Sequence, residues 1–324
     1  MKVLSRLLMS VALAAASLSA HSADKVVVAY LPTLHGLPLF VALEEKLFEK
    51  AGLDVEATKF ENPNQIIDSL VSGRADSAPS GGAAGITALA ETRFPGKLRV
   101  FGLQGSATVN GAVNDALIVK ADSLVKSFAD LKGKKVAHAP GIQWRTITRT
   151  VVKANGLDPD KDVELTEMAI GLHAQAVMAG TVDAALTLEP VGSVVVAGGQ
   201  LKAVVVNPAG RFIVDPFYAG AGVITTKFIT ERPDVARRFI AVMDEAVIKV
   251  SKNFDAYRKH LIGYTPVTAQ TVSVVKPMHF VGSGDLREAD IAAYQKFADI
   301  FVAGGAMKDR VDVSKLILRR GDLK

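Results

Sequence analysis

Short apolar runs alternate with stretches of helical periodicity along most of the chain. Residues 25–30 form an apolar run that is typical of a buried strand. Apolar residues then recur three or four positions apart over residues 37–51, which predicts a helix that ends at Gly52. Further strands are predicted at residues 53–59, 75–78 and 98–103, with helices between them. This order predicts an α/β fold.

The alternation starts again in the second half of the chain. Strands are predicted at residues 134–138, 163–167 and 182–187, with helices at 143–154 and 172–179. The turns of the two halves match at Gly73 with Gly180, Asp76 with Asp183, and Gly52 with Gly156. Each glycine suits a helix end with positive φ, and each aspartate opens a strand. Chance recurrence of Gly-x-x-Asp is the alternative, but the common order favours a duplicated βαβαβ lobe.

Two duplicated lobes predict a cleft between them. The chain is expected to cross to the second lobe near residues 115–120 and to return near 217–225, as a two-strand hinge. The predicted lobes are therefore residues 24–117 together with 222–324, and residues 118–221. Beyond residue 230 the periodicity predicts mostly helix, including helices at 269–276 and 286–303.

The first 23 residues differ from the rest of the chain. Lys2 and Arg6 precede a largely apolar run at residues 7–18, and small residues follow up to Ala23. This order is typical of a cleaved secretory signal peptide, and the run is too short to span a membrane. An N-terminal anchor helix is the alternative. Since no later apolar run reaches about 18 residues, the sequence predicts export of a soluble chain.

Composition narrows the possible chemistry. The 324 residues are 49% hydrophobic, which is enough for two cores, and include no cysteine. Disulfides, metal–thiolate sites and cysteine nucleophiles are therefore excluded. The formal charge of +5 falls to +3 without Lys2 and Arg6, and both signs are interleaved, so no nucleic-acid-binding surface is indicated. The motifs G-x-S-x-G, H-E-x-x-H, G-x-G-x-x-G and the P-loop are absent from the sequence.

Polar and glycine residues gather in the loops that follow the predicted strands. Open α/β sheets bind ligands at this edge, and two facing lobes would bring their loops together across the cleft. The predicted ligand-binding residues are Tyr30, His35, Ser80, Gly81, Gly82, Gln104, His138, Gly141, Gln143, Trp144, Arg145, Glu189 and Tyr218. His35 and His138 could hold a metal ion, but no cysteine or suitably spaced carboxylate pair accompanies them. The sequence therefore predicts no metal and no cofactor.

The loop at residues 138–146 carries the sharpest chemical prediction. Free N–H groups at residues 141–143 begin a helix and favour negative charge. Arg145 could pair with an anion or face water, and Trp144 could stack on a ligand or fill the core. Glu189 would repel an anion, so it would contact a ligand amine or hydroxyl, or pair with Arg145. These features predict a ligand that carries an anionic group.

Several segments together resemble a known family. They are Tyr30-Leu31-Pro32, F-E-K-A-G-L-D-V at 48–55, S-G-R-A-D at 72–76, S-F-A-D-L-K-G-K-K-V-A at 127–137, Val182-Asp183-Ala184 with Glu189-Pro190, and V-D-V-S at 311–314. The chain is similar, over nearly all of its predicted mature length, to the nitrate/sulfonate/taurine-type periplasmic solute-binding proteins of ABC transporters. That family shares its fold with binders of thiamine precursors. Relatives often carry an aromatic residue where this chain has Leu188.

The resemblance implies a type 2 periplasmic binding protein, with two α/β lobes, a two-strand hinge and a ligand in the interlobe cleft. It implies a periplasmic monomer that captures a small organic anion, such as a sulfonate, a nitrate-like ion or a carboxylate, and delivers it to an inner-membrane permease. A binder of a thiamine pyrimidine precursor is one alternative. An enzyme of the pyrimidine-precursor synthase type is another, although those enzymes carry a cysteine-rich cluster that this chain lacks. The resemblance thus favours binding over catalysis.

Overall fold

Two β-sheets organise the chain in a computed structural model, which describes residues 23–80 and 84–323. The first sheet has the strand order β2-β1-β3-β10-β4-β11, and the second has the order β7-β6-β8-β5-β9. We call the first sheet with its helices lobe 1 and the second lobe 2. The strands are β1 (Asp24–Tyr30), β2 (Leu53–Lys59), β3 (Ser77–Ser80), β4 (Leu98–Ser106), β5 (Asp115–Lys120), β6 (Lys134–His138), β7 (Val163–Glu167), β8 (Ala184–Leu188), β9 (Leu201–Val206), β10 (Phe217–Thr225) and β11 (His279–Val281).

Helices cover both sheets, as the alternating pattern predicts. Their buried faces pack with the strands in the two larger hydrophobic clusters. The helices are α1 (Leu37–Glu44), α2 (Leu47–Lys50), α3 (Pro63–Val71), α4 (Ala84–Arg93), α5 (Ile142–Ala154), α6 (His173–Ala179), α7 (Val191–Ala197), α8 (Pro208–Phe212), α9 (Thr226–Glu231), α10 (Pro233–Lys252), α11 (Phe254–Tyr257) and α12 (Glu288–Ala303). One hydrophobic cluster contains residues of both lobes, including Ala84, Trp144 and Phe301, so the core continues across their boundary.

The duplicated pattern is visible as a duplicated topology. In lobe 1, β1 pairs in parallel with β2 and β3, and in lobe 2, β6 pairs in parallel with β7 and β8. Asp76 accepts a hydrogen bond from the amide of Val27 at 3.0 Å, and Asp183 accepts one from the amide of Lys135 at 2.9 Å. The matched aspartates therefore fix the same strand junction in both lobes. The matched glycines have the predicted positive φ, at +76° for Gly73 and +74° for Gly180.

The two chain crossings lie a few residues earlier than predicted. All of β5, from Asp115 onward, pairs in the lobe 2 sheet, and all of β10, from Phe217 onward, pairs in the lobe 1 sheet. The predicted boundaries at residues 117/118 and 221/222 would cut through these strands. The segments that cross are residues 107–114 and 207–216, and Asn207 joins them by accepting a hydrogen bond from the amide of Asn114 and donating one to the carbonyl of Ala112.

Other sequence predictions need correction. The helix predicted at residues 269–276 is only a short 3₁₀ turn at Val272–Val274, and the strand predicted at 75–78 lies at Ser77–Ser80. Strands β9 and β11 were not predicted. The predicted signal peptide lies almost entirely outside the described residues. Within the described ranges, no helix is both long and apolar enough to cross a membrane.

Candidate functional site

A narrow cavity of about 20 Å³ marks the seam where the two lobes meet. Lobe 1 and lobe 2 each supply half of its lining, which consists of Leu31, Thr33, His35, Glu61, Pro63, Ala139, Pro140, Trp144, Ile170 and Leu188. We call it the seam cavity. Trp144 is only 3% exposed and lies in this lining, so it both fills the core and faces the seam. The volume is about that of a single water site, because the loops of the two lobes contact each other directly.

Gln143, in the first turn of α5 of lobe 2, forms hydrogen bonds with lobe 1. Its Oε1 accepts hydrogen bonds from the amides of Gly85 at 2.9 Å and Ile86 at 3.3 Å, in the first turn of α4. Its Nε2 donates to the carbonyl oxygen of Ala219 on β10 at 3.0 Å. Amides in the first turn of a helix lack intrahelical acceptors, so the buried Gln143 side chain satisfies groups that would otherwise need water or a ligand.

His35 and Gln104 lie side by side over Gly220 of β10. A Cβ atom at Gly220 would lie 2.5 Å from Cδ2 of His35 and 2.7 Å from Oε1 of Gln104, so only glycine fits. Nε2 of His35 and Oε1 of Gln104 are buried and have no hydrogen-bond partner among the described residues. Buried polar groups are normally paired, so Oε1 of Gln104 can accept a hydrogen bond from a bound molecule, while Nε2 of His35 lies near enough to the Asn114 side chain for that residue to affect the pKa of the ring. His35 lines the seam cavity, whereas Gln104 lines a small pocket within lobe 1 and Gln143 bridges the two lobes beside them. We call His35, Gln104 and Gln143 the seam polar cluster.

His35 is held in its neutral form. Its side chain is 1% exposed, and this burial lowers the pKa of the imidazole to about 4, with Asn114 partly opposing the shift. Nδ1 lies 3.2 Å from the hydroxyl of Thr33, which orients the ring. A neutral imidazole offers Nε2 as a donor or as an acceptor, depending on the tautomer.

The sequence predicts that Arg145 contacts a bound anion, but the structure pairs this side chain with a carboxylate of the chain itself. Arg145 is exposed and pairs with Glu167, to which its Nε donates at 2.8 Å. The other carboxylate oxygen of Glu167 accepts from the amide of Gly141 at 3.3 Å. Partial burial acts to raise the pKa of Glu167, but Arg145 and the Gly141 amide outweigh it and hold the pKa below its usual range. The negative charge expected at the start of α5 is thus supplied by the chain itself.

Glu189 is buried at the boundary of the lobes, as expected, but its carboxyl group does not pair with Arg145. Its backbone joins the lobes, because its carbonyl oxygen accepts from the amide of Leu34 and its amide donates to the carbonyl of Asn114. Its side chain lies outside the seam cavity and lines a second cavity on the side of the chain crossings. Burial raises the pKa of Glu189 to about 7, against an opposing effect of Ser193.

Three other predicted residues, Tyr30, His138 and Tyr218, do not line the seam cavity. The ring of Tyr30 packs edge-on against Phe40 and Tyr264, and the hydroxyl of Tyr218 donates to Asp290 at 2.6 Å. His138 is buried, with Nδ1 2.8 Å from the carbonyl oxygen of Ala139, and burial lowers its pKa. None of the three is in the lining of the seam cavity.

The glycine-rich loop after β3 lies largely outside the described residues. Ser80 is the last residue of β3, while Gly81 and Gly82 lie outside the described residues. In the described ranges, no group of three or more His, Asp or Glu side chains is arranged to hold a metal ion. Sequence reasoning missed Glu167, whose position beside Arg145 follows from the parallel register that sets His138 opposite Glu167.

Comparison with known proteins agrees with this architecture. The chain resembles the periplasmic aliphatic sulphonate binding protein SsuA from Escherichia coli, with a TM-score of 0.72 and 17% identity, over 91% of this chain and 92% of that one. At that identity the likeness shows the shared fold. A Bacillus subtilis (strain 168) protein named for binding aliphatic sulfonates is 25% identical over 288 residues, which cover 86% of this chain and 82% of that protein.

A second relative is named as an enzyme. The Saccharomyces cerevisiae protein named 4-amino-5-hydroxymethyl-2-methylpyrimidine phosphate synthase THI13 is 25% identical over 172 residues, or 52% of this chain. The match spans only about half of the yeast protein, 47% of its length. The profile of the family described as NMT1/THI5 like matches residues 35–255, which include most of both lobes and both crossings. With its two sheets and its duplicated junctions, the chain belongs to the NMT1/THI5-like family.

Proposed function

We propose that the chain is the solute-binding component of an ABC importer, and that it captures a small organic solute between its lobes. The seam polar cluster carries this proposal: unpartnered atoms of His35 and Gln104 lie in lobe 1, and Gln143 reaches across from lobe 2. A solute that binds these groups would contact both lobes, so its binding energy would hold them together. The relative and the solved structure named for sulfonate binding support a sulfonate as the first solute class to test.

The proposed anionic group needs no buried arginine or lysine at the seam. Arg145 is engaged with Glu167, and His35 is neutral, so the donors for an anion are Nε2 of His35, in the tautomer that is protonated there, and the amides at the start of α4. Oε1 of Gln104 is an acceptor, so it would bind a hydroxyl or amine of the solute rather than its anionic group. Backbone N–H groups and a helix N-terminus can stabilise an oxyanion without a formal positive charge. A sulfonate oxygen would compete with Oε1 of Gln143 for the amides of Gly85 and Ile86.

We propose export to the periplasm, monomeric function and transient docking on an inner-membrane permease as parts of the same role. The N-terminal pattern of Lys2, Arg6 and the apolar run at 7–18 supports export. N-terminal sequencing of the exported protein should find a terminus near Ala23. A terminus at Met1 would contradict export by a cleaved signal peptide.

Catalysis is the second candidate function, because the yeast relative is named as a synthase. The two functions differ in what happens to the solute. A thermal-shift screen of sulfonates, carboxylates, nitrate and substituted pyrimidines identifies compounds that bind. Mass spectrometry of the bound compound after its release then shows whether it has changed. A receptor returns its ligand with unchanged mass, and a ligand at 100 times its Kd raises stability by about 2.7 kcal/mol. Recovery of a chemically altered compound would favour the enzyme.

A further inference from the structure

A second and much larger cavity opens near the chain crossings, with a volume of about 610 Å³. One wall is formed by α7, β5 and β9 of lobe 2, and the other by residues 255–277 of lobe 1. We call it the hinge-side cavity. Its volume lies within the range of roughly 300–1,000 Å³ that is usual for small-molecule sites. It is separate from the seam cavity, and the two linings share no residue.

The hinge-side cavity combines apolar walls with one buried acid. Val113, Val196, Val206 and Val274 are among the residues that line it, and Glu189 lies in the same lining at 3% exposure. The carboxylate of Glu189 accepts a hydrogen bond from the amide of Ser193 at 3.3 Å and interacts with the Ser193 side chain as well, which together use about half of its capacity of about four. Its remaining capacity is available to a molecule in the cavity.

Gly192 keeps the carboxylate of Glu189 in this position. A Cβ atom at Gly192 would lie 2.9 Å from Oε1 of Glu189, closer than real Cβ contacts come. The glycine therefore lets the acid fold back against the first turn of α7 while it still faces the cavity. An alanine at this position would push the carboxylate away without straining the helix backbone.

The charges around Glu189 favour a positive group beside it. Asp115, which is fully buried, adds a second negative influence on the same side. Arg258 on the opposite wall is paired with Asp255 at 3.1 Å, which offsets its charge. Lys276 lines the cavity too and acts to lower the pKa of Glu189, but it is exposed, so water and salt screen its charge, and its effect is smaller than that of Asp115.

We propose that the hinge-side cavity is a binding site for an amphiphilic organic cation, whose ammonium group pairs with the carboxylate of Glu189 while its apolar body contacts the valine walls. An anion would be repelled by Glu189 and Asp115. A neutral alcohol could donate a hydrogen bond but would leave the buried charge without a counter-charge. This site is independent of the solute that we propose for the seam.

Calorimetric titration with hexylammonium, hexan-1-ol and hexanesulfonate tests the proposal on the intact mature chain. At pH 8 we expect hexylammonium to bind most tightly of the three, and Glu189→Gln to weaken it at least tenfold. Glu164→Gln removes an exposed acid of the same lobe and serves as the charge control, with unchanged affinity expected. If Glu189 only caps α7, the Glu189→Gln variant will bind hexylammonium as tightly as the parent, which would overturn the proposal.

The pH dependence gives a second readout on the unmodified protein. Because Glu189 has a pKa of about 7, its ionised fraction rises between pH 6 and pH 8, while an alkylammonium stays charged. Hexylammonium affinity should therefore rise roughly tenfold over this interval, and the rise should be absent in Glu189→Gln. Affinity that is independent of pH would contradict a contact with this carboxylate.

A variant of the wall separates this site from the seam. Val196→Trp places a large ring in the hinge-side cavity and should abolish hexylammonium binding with little change in the melting temperature. Sulfonate binding at the seam should persist in this variant, so the failure of one proposal leaves the other measurable. Hexylammonium binding that survives Val196→Trp would show that the ligand lies elsewhere and would overturn the assignment.

Discussion

At the scale of single residues, burial decides how the acids and histidines of this chain titrate. Burial raises the pKa of Glu189 from 4.5 to about 7 and that of Asp115 from 3.8 to about 6. It lowers the pKa of His35 and His173 to about 4. Each of these shifts is toward the neutral form, because the low-dielectric interior penalises charge.

Glu189→Gln should change how the free energy of unfolding depends on pH. An acid with a raised pKa stabilises the fold fully below its unfolded pKa and loses that contribution as pH rises to its folded pKa. Relative to the parent, Glu189→Gln should therefore gain stability between about pH 4.5 and pH 7, by up to about 3 kcal/mol, and stay constant above that. Urea unfolding at a series of pH values measures the difference. A difference that does not vary with pH would mean that Glu189 is not buried as described.

For single residues, the sequence predicts position in the fold better than the direction of the side chain. His35, Gln143, Trp144 and Glu189 were predicted to bind a ligand, which stays a prediction, and they lie at the boundary of the lobes because each follows a strand or begins a helix at its carboxyl edge. The sequence could not give side-chain direction. Arg145 and Glu167 are 22 positions apart in the chain. Their pairing depends on the register between β6 and β7, which the sequence pattern does not show.

At the scale of elements, the strand junctions of the two lobes are built by the same contact. Asp76→Ala and Asp183→Ala should each lower the free energy of unfolding by about 1–3 kcal/mol, since each leaves a strand amide without its acceptor. The larger loss is expected for Asp76, which is less exposed and pairs with Arg232 at 2.6 Å, whereas Asp183 pairs with Lys134 at 3.6 Å. Chemical denaturation measures both, with Asp122→Ala at an exposed turn as the control. No loss in either variant would contradict the structural equivalence.

The hydrogen bonds of Gln143 between α5 and lobe 1 give a second prediction for the elements. Gln143→Ala removes the acceptor for Gly85 and Ile86 and the donor to Ala219, so we expect a loss of about 1–3 kcal/mol or a separation of the lobes that admits water. Denaturation and the radius of gyration from X-ray scattering detect the two outcomes. Gln200→Ala, at an exposed turn, is the control. If Gln143→Ala changes neither the free energy of unfolding nor the radius of gyration, the hydrogen bonds of Gln143 do not hold the lobes together.

The elements were predictable in proportion to the clarity of their patterns. Strands with apolar runs and helices with glycine stops were placed within a few residues. The helix predicted at 269–276 is wrong because that segment contains Thr271, Val272, Val274 and Val275, whose β-branched side chains disfavour helix, and is followed by Pro277. β9 was missed although Leu201–Val206 is an apolar run, because the duplicated pattern ends at β8.

At the scale of the whole molecule, two sheets meet along a seam, and the chain passes twice between them. The fold class followed from the alternation of elements and from the internal match of Asp76 with Asp183. The exact crossings could not be predicted, because the apolar runs inside β5 and β10 fit either sheet equally well. Asn207, with a positive φ of 53°, marks the return crossing and was not distinguishable from other asparagines in the sequence.

Calorimetric titration of a sulfonate series into the parent chain and into Gly220→Val tests whether a solute binds at the seam polar cluster. The valine would occupy the space between His35 and Gln104, whose side chains leave no room for a Cβ atom. We predict that at least one member from methanesulfonate to hexanesulfonate binds the parent in a 1:1 ratio, and that Gly220→Val, if still folded by circular dichroism, weakens it at least tenfold. Equal binding by folded Gly220→Val, or no binding by the parent across the series, would contradict the account.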